Sequence, residues 1–320
     1  MDASRIRRML ILICIICIGA WLLRTVTTHA VAKPSAGSAA IVASHAGDPV
    51  PTTVPTSSTR PARASEPLPL ADAPVAQIYG GLKQRADAGD AHAACRLAIE
   101  LIRCRNLPLM EAVTDMPAGG GDNEDAAARN GKLAEANFFA DAKLGVIQAR
   151  RNCRDVSRGQ IALAPAYLHQ AARAGLGDAI VRYADGQAFD PRAMFGVLHD
   201  PLLDAWRREA PTLVLQALRQ GNPSAVFLLY SAYSGDSSLF GGLIPDDPVQ
   251  ARAYRILVER LLSRTSRPDS SLTPEQEAAA DVFAARMYHE DFHDNPLSAG
   301  QIASLDATHA LVATNSADCR

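Results

Sequence analysis

One spacing recurs through the middle of this chain and leaves it little freedom in how to fold. Taking Gly89 as zero, Ala86 lies three residues before it, and Ala93, Leu97 and Leu101 lie four, eight and twelve after it. Around Gly175 the same offsets hold Ala172, Ala179, Tyr183 and Gln187, and around Gly221 they hold Leu218, Ala225, Leu229 and Tyr233. Positions four, eight and twelve share one face of an α-helix. A glycine at zero turns a left-handed corner without a Cβ penalty, and an alanine at four lets the two helices of the hairpin approach closely. A fourth copy, lacking the corner glycine, places Ala136 at zero, Ala140 at four and Leu144 at eight. One such hairpin cannot bury its apolar face alone, so copies must stack. The spacing predicts an all-α fold: a solenoid of helix-turn-helix repeats over residues 75–264, closed by a C-terminal helix and tail over 265–320.

The run QALRQGNPSAVFLLYSAYSGD, followed by DDPVQARAY, carries Ala217, Gly221, Ala225, Leu229, Tyr233, Gly235, Asp247 and Ala251 in order. In that pattern it resembles the Sel-like repeat, a relative of the tetratricopeptide repeat. The run HQAARAGLGDAIVRYADG is similar at Ala171, Gly175, Ala179 and Gly186, with Tyr183 where the repeat usually has Leu. RADAGDAHAACRLAIEL is similar at Gly89, Ala93 and Leu97. The resemblance spans residues 78–262. It implies an α-α hairpin solenoid whose relatives mostly serve as protein-binding adaptors, many of them exported in bacteria. The implied role is a non-catalytic scaffold with no cofactor, binding another envelope protein or a peptide on its concave face.

The N-terminal segment predicts where such a domain would sit. Residues 1–8 carry three arginines, Met9 to Leu23 carry no charge, and Arg24 follows. Nine residues of that run are Leu or Ile, together worth roughly −3 to −5 kcal/mol of insertion free energy. The run is shorter than a comfortable span, but Arg8 and Arg24 can snorkel and Trp21 suits the far interface. Residues 1–24 therefore read as a signal anchor through residues 9–23, in a single-pass inner-membrane protein. The arginine bias places its N-terminus in the cytoplasm and its C-terminal domain in the periplasm. The alternative is a signal peptide cleaved near Ala30 after Thr28-His29, leaving a secreted or periplasmic protein. Residues 25–74 are rich in Pro, Ser, Thr and Ala with no sustained apolar period, a disordered spacer.

Net charge is −2 with both signs mixed along the chain, so no basic footprint argues for nucleic acid. Only 4 of the 32 basic residues are lysine, which with the alanine richness hints at a GC-rich bacterial genome. Aromatics at 5% fit Ala/Leu-packed helices better than a sandwich of strands. The glycine-rich insert 115–132 reads as a connection between hairpins. Gly131-Lys132 is followed by Leu133, not by the Ser or Thr of a phosphate loop, and no Glu closes a calcium loop. Neither a G-x-S-x-G elbow nor a G-x-G-x-x-G in a strand–helix frame occurs.

Outside the membrane run stand Cys95, Cys104, Cys153 and Cys319. An oxidising compartment permits two disulfides in three connectivities. Cys95 and Cys104 are nine residues apart, on opposite sides of one helix, and do not suit each other. Cys104 and Cys153 each fall near the end of a second helix, where stacking brings such ends together. They are the expected pair, with Cys319 either joined to Cys95 or free.

One stretch points to different chemistry. His289-Glu290-Asp291-Phe292-His293 has the H-E-x-x-H form of a zinc hydrolase, with Glu290 as base. Thr273-Pro274-Glu275-Gln276 opens a helix under it, capped by Thr and led by Pro, and Pro296 bounds its end. On such a helix His289 and His293 share a face. The third ligand is missing from any recognisable motif, since Asp294-Asn295-Pro296 follows and only Asp306 or His309 could serve. The plainer expectation is a capping helix without metal, with Val282, Phe283, Met287 and Phe292 against the last hairpin and the histidines near solvent.

Overall fold

The computed structural model describes residues 67–70, 73–115, 133–192, 196–236, 238–302 and 319. The expected anchor at residues 9–23, most of the expected spacer, and residues 116–132 of the insert lie outside the described residues. Among those described, no helix is long and apolar enough to cross a membrane. Every regular element described is helical. In chain order these are α1 (Val75–Asp87), α2 (Ala91–Asp115), α3 (Leu133–Asn152), α4 (Arg158–Ile161), α5 (Ala164–Arg173), α6 (Gly177–Ala184), α7 (Leu202–Arg219), α8 (Pro223–Tyr233), α9 (Pro248–Leu261) and α10 (Pro274–Phe292). Short 3₁₀ turns at Gly196–His199 and Gly241–Leu243 complete them.

The three corner glycines act in one register. Each stands two residues after the end of one helix and two before the start of the next: α1 and α2 at Gly89, α5 and α6 at Gly175, α7 and α8 at Gly221. Their φ values are 93°, 89° and 73°, a region that only glycine enters freely. The closing hydrogen bonds match too. Gly89 N–H donates to Ala86 and Asp90 N–H to Arg85; Gly175 donates to Ala172 and Leu176 to Ala171; Gly221 donates to Leu218 and Asn222 to Ala217. This double bond pattern satisfies carbonyls that a helix end leaves open. Ala93, Ala179 and Ala225, four residues on, are all fully buried, as are Leu97 and Tyr183 at position eight; Leu229 is nearly so.

Successive helices pack on one another. Within hairpins α1 meets α2, α5 meets α6, and α7 meets α8; between them α2 meets α5, α6 meets α7, and α8 meets α9. Contacts also close at the corners themselves. A Cβ added at Gly175 would lie 3.0 Å from Nε2 of Gln216, one at Gly177 would lie 2.7 Å from Nδ2 of Asn222, and one at Gly221 would lie 2.8 Å from the Asp291 carbonyl oxygen. The second bend thus rests on the third, and the third on the end of α10.

The fourth copy is a correction. Ala136 begins no corner, because α3 runs unbroken from Leu133 to Asn152. Leu144, expected in the groove, is 64% exposed. With no glycine at position zero, nothing there favours a left-handed corner and the helix continues. It packs instead on the C-terminal half of α2, where Met110, Val146 and Ala149 make a small separate core. Cys153, just past its end, is bonded to Cys104 of α2. The last hairpin is α9 with α10, joined by the loop 262–273 without a corner glycine. Arg252 of α9 holds that loop from inside. Its side chain is buried, its Nε donates to both Glu277 oxygens at 2.8 and 3.0 Å, and Nη2 donates to Ser266 Oγ at 2.9 Å and the Arg267 carbonyl at 2.7 Å.

Candidate binding surface

The helix under the H-E-x-x-H stretch starts as expected. Thr273 Oγ1 accepts from Gln276 N–H while the Gln276 side chain accepts from Thr273 N–H, and Pro274 leads the helix. It ends at Phe292, one residue short of the second histidine. His293 takes the left-handed conformation at φ 54° and Asp294 follows at φ 59°, while Asp294 N–H closes the helix on the Tyr288 carbonyl. His293 therefore leaves the helical course that would align its ring with His289. His289 is itself held, its Nδ1 lying 2.7 Å from Asp294 Oδ2. That hydrogen bond, with the carboxylate's charge, raises the imidazole above its ordinary pKa. No group of three His, Cys, Asp or Glu side chains placed to hold a metal occurs among the described residues; Asp306 and His309 lie outside them. Met287 and Phe292 of this helix are buried and Phe283 half-buried, but Val282 is 70% exposed, a further correction: it faces solvent beside Asp281, not the last hairpin.

First helices of neighbouring hairpins are bridged by polar side chains. Tyr167 O–H donates to Asp87 at 2.8 Å and Gln170 Nε2 donates to the Ala86 carbonyl at 2.7 Å, joining α5 to α1. His169 Nε2 lies 2.7 Å from Glu209 Oε2, joining α5 to α7. Two openings lie on either side of Arg252.

The first is a cleft of about 260 Å³ between the end of α8, the start of α9 and the loop before α10, lined by Tyr230, Tyr233, Asp246, Arg252, Arg255 and Asp269 among others. Tyr233, the position-twelve residue of the third hairpin, stacks on Tyr254 at 5.6 Å with rings 14° apart, and Tyr254 meets Phe283 edge-on at 6.1 Å. Burial, then the neighbouring Tyr233, pushes the Tyr254 hydroxyl well above the usual phenol range. Gly235 turns the chain out of α8 at φ 76°, with Asp246 folded against it. The Asp269 carboxyl accepts from both the N–H and the O–H of Ser271, which with the nearby arginines holds it below the ordinary carboxylate pKa. A second open pocket of about 590 Å³ lies on the other side of Arg252, lined by Ile256, Pro268, Leu272, Ala278 and Asp281.

The charges in the cleft are partly committed. Arg252 pairs with Glu277, and Arg255 Nε lies 3.4 Å from Glu259 Oε1. Asp246 and Asp269 line the same cleft. The carbonyl end of α8 adds partial negative charge there. Of the residues lining the cleft, sequence reasoning named Tyr233 and Ala251. Asp246, Arg252 and Asp269 come from three separate segments and carry no spacing that could have joined them.

No protein-family model matches this chain, and no curated protein or solved structure matches it.

Proposed function

We propose that this protein is a non-catalytic binding scaffold, an α-α hairpin solenoid of Sel-like type exported to the bacterial envelope and held at the inner membrane by residues 9–23. It takes a segment of another envelope protein in the α8–α9 cleft. The observation that carries the reading is the cleft itself: two tyrosine rings and two carboxylates at the carbonyl end of a helix. That set suits a basic side chain of a partner, since a cation is attracted both to the face of an aromatic ring and to carboxylates. Two disulfides, Cys95–Cys319 and Cys104–Cys153, support an oxidising address, and the three matched corners support the repeat reading.

A photo-crosslinking amino acid placed at Tyr230 or Arg255 of the full chain in native envelopes tests it. A discrete adduct is expected from both positions, absent from the exposed Val282 on α10, and lost when Asp246 and Asp269 are both changed to Lys. Equal adducts from Val282, or none from the cleft positions, would overturn the reading.

A further inference from the structure

The strongest long-range feature outside the cleft is how the structure seats one residue of the C-terminal segment. Cys319 is fully buried and bonded to Cys95 of α2, 224 positions away. A disulfide by itself fixes only a sulfur. Here the main chain of Cys319 is bound as well, by side chains from two different hairpins. His92 donates from Nδ1 to the Cys319 carbonyl oxygen at 2.6 Å, and the Cys319 N–H donates to Asp178 Oδ2 at 3.2 Å.

His92 and Asp178 are equivalent positions. Each stands three residues after its corner glycine, Gly89 and Gly175, and each is the second residue of its helix, α2 and α6. Both first turns reach the main chain of Cys319. The other Asp178 oxygen lies 3.5 Å from Nδ2 of Asn222, the residue that caps α8 by accepting from Ser224 N–H, so the carboxylate also reaches the third corner. Cys319 is held at φ 70°, a conformation a non-glycine residue keeps only where its surroundings impose it.

We propose that the first-turn positions of α2 and α6 form a receptor for this chain's own C-terminal segment, with Cys319 the residue read and the bond to Cys95 its lock. Recognition runs through the Cys319 main chain and sulfur. In the oxidised chain the receptor is filled. A dithiol reductant takes the disulfide to two thiols and is itself oxidised to a cyclic disulfide, leaving Cys319 with its two main-chain hydrogen bonds and no covalent link. The receptor lies on different helices from the α8–α9 cleft, so its failure would leave the scaffold reading standing, and the reverse.

The test is an equilibrium one on the full chain. The protein is incubated in mixtures of reduced and oxidised glutathione, trapped by alkylation, and both disulfides are read separately by peptide mass spectrometry. If the main-chain contacts recognise Cys319, Asp178→Ala lowers the effective thiol concentration for Cys95–Cys319 by about tenfold and His92→Phe by about fivefold, as loss of a charge-assisted and a neutral hydrogen bond should. Cys104–Cys153 serves as the internal reference and moves less than twofold. Asp178→Asn, which keeps an acceptor oxygen but loses its charge, falls between Asp178→Ala and the parent. Three results would overturn the proposal: no change in Cys95–Cys319, an equal change in both disulfides in every variant, or a Cys319 bond that forms between copies of the chain.

Discussion

Two glycines that look interchangeable should respond very differently to the same methyl group. Gly89 and Gly221 occupy the same register and both have positive φ, 93° and 73°. A Cβ at Gly89 meets nothing within 4 Å, whereas one at Gly221 lies 2.8 Å from the carbonyl oxygen of Asp291 in the last turn of α10. Gly89→Ala therefore costs only the left-handed penalty of an L-residue, about 1 kcal/mol. Gly221→Ala costs that and the displacement of a helix carbonyl, a backbone group with no rotamer to yield, bringing the total to about 2–4 kcal/mol. Gly175→Ala falls between them, because its contact at 3.0 Å is the flexible end of Gln216. The assay is urea unfolding followed by far-UV circular dichroism with the disulfides intact, comparing midpoints at unchanged slope. The order Gly89, Gly175, Gly221 tests the corner geometry and the seating of the terminal helix together. If Gly221→Ala costs no more than Gly89→Ala, α10 does not rest on the third corner. If neither substitution has a cost, the bends are not left-handed and the shared register fails.

Removing the disulfides separately should give unequal losses, since loop closure favours the longer loop. Replacing Cys104 and Cys153 by Ser costs up to about 4 kcal/mol, and replacing Cys95 and Cys319 up to about 5, for separations of 49 and 224 residues; urea unfolding of the two double variants checks the order. Glu277 is held below its ordinary carboxylate pKa chiefly by its hydrogen bonds from Arg252. It therefore binds a proton less readily folded than unfolded. Its stabilising contribution is in place above about pH 4.5 and is lost as pH falls through the lower folded value. The stability gap between the parent and Glu277→Gln should narrow on acidification from pH 6 to pH 3; a constant gap would separate the carboxylate from Arg252. His289 runs the other way, its pKa raised by Asp294. Proton NMR titration should place the His289 midpoint above the unperturbed imidazole value and return it towards that value in Asp294→Asn.

The corners were legible because each requires an unusual residue at a fixed distance from ordinary ones. A glycine with alanines at minus three and plus four constrains both the break and the approach of two helices, and at Gly89 and Gly175 all four of those alanines are fully buried. Where the glycine was lacking, the apolar spacing of α3 described only a face, and a face does not say where a helix stops; hence the exposed Leu144. The same limit explains the H-E-x-x-H stretch. Pro296 bounds the helix end without setting it, and the two left-handed residues His293 and Asp294 end it early. Charge placement was the least readable. An arginine in a helix reads as solvent-facing, yet Arg252 is 4% exposed, because Glu277, Ser266 and the Arg267 carbonyl come from segments 14 to 25 residues away to meet it.

What the corners share and what they do not share have different consequences. Glycine at zero and alanine at four are occupied alike in all three hairpins, because close approach tolerates little else. Three residues after the glycine stand His92, Asp178 and Ser224, an imidazole, a carboxyl group and a hydroxyl on the same geometric site. The backbone at those sites is equivalent, so any difference in what they bind comes from the side chain alone. Exchanging His92 and Asp178 would keep both residue types on the same two corners while placing the carboxylate opposite the Cys319 carbonyl and the imidazole opposite its N–H. Two oxygen acceptors would then face each other, and the effective thiol concentration of Cys95–Cys319 should fall below that of either single variant. An exchanged chain that closed this disulfide as readily as the parent would show that the corners supply only a scaffold, and that the first-turn residues read nothing.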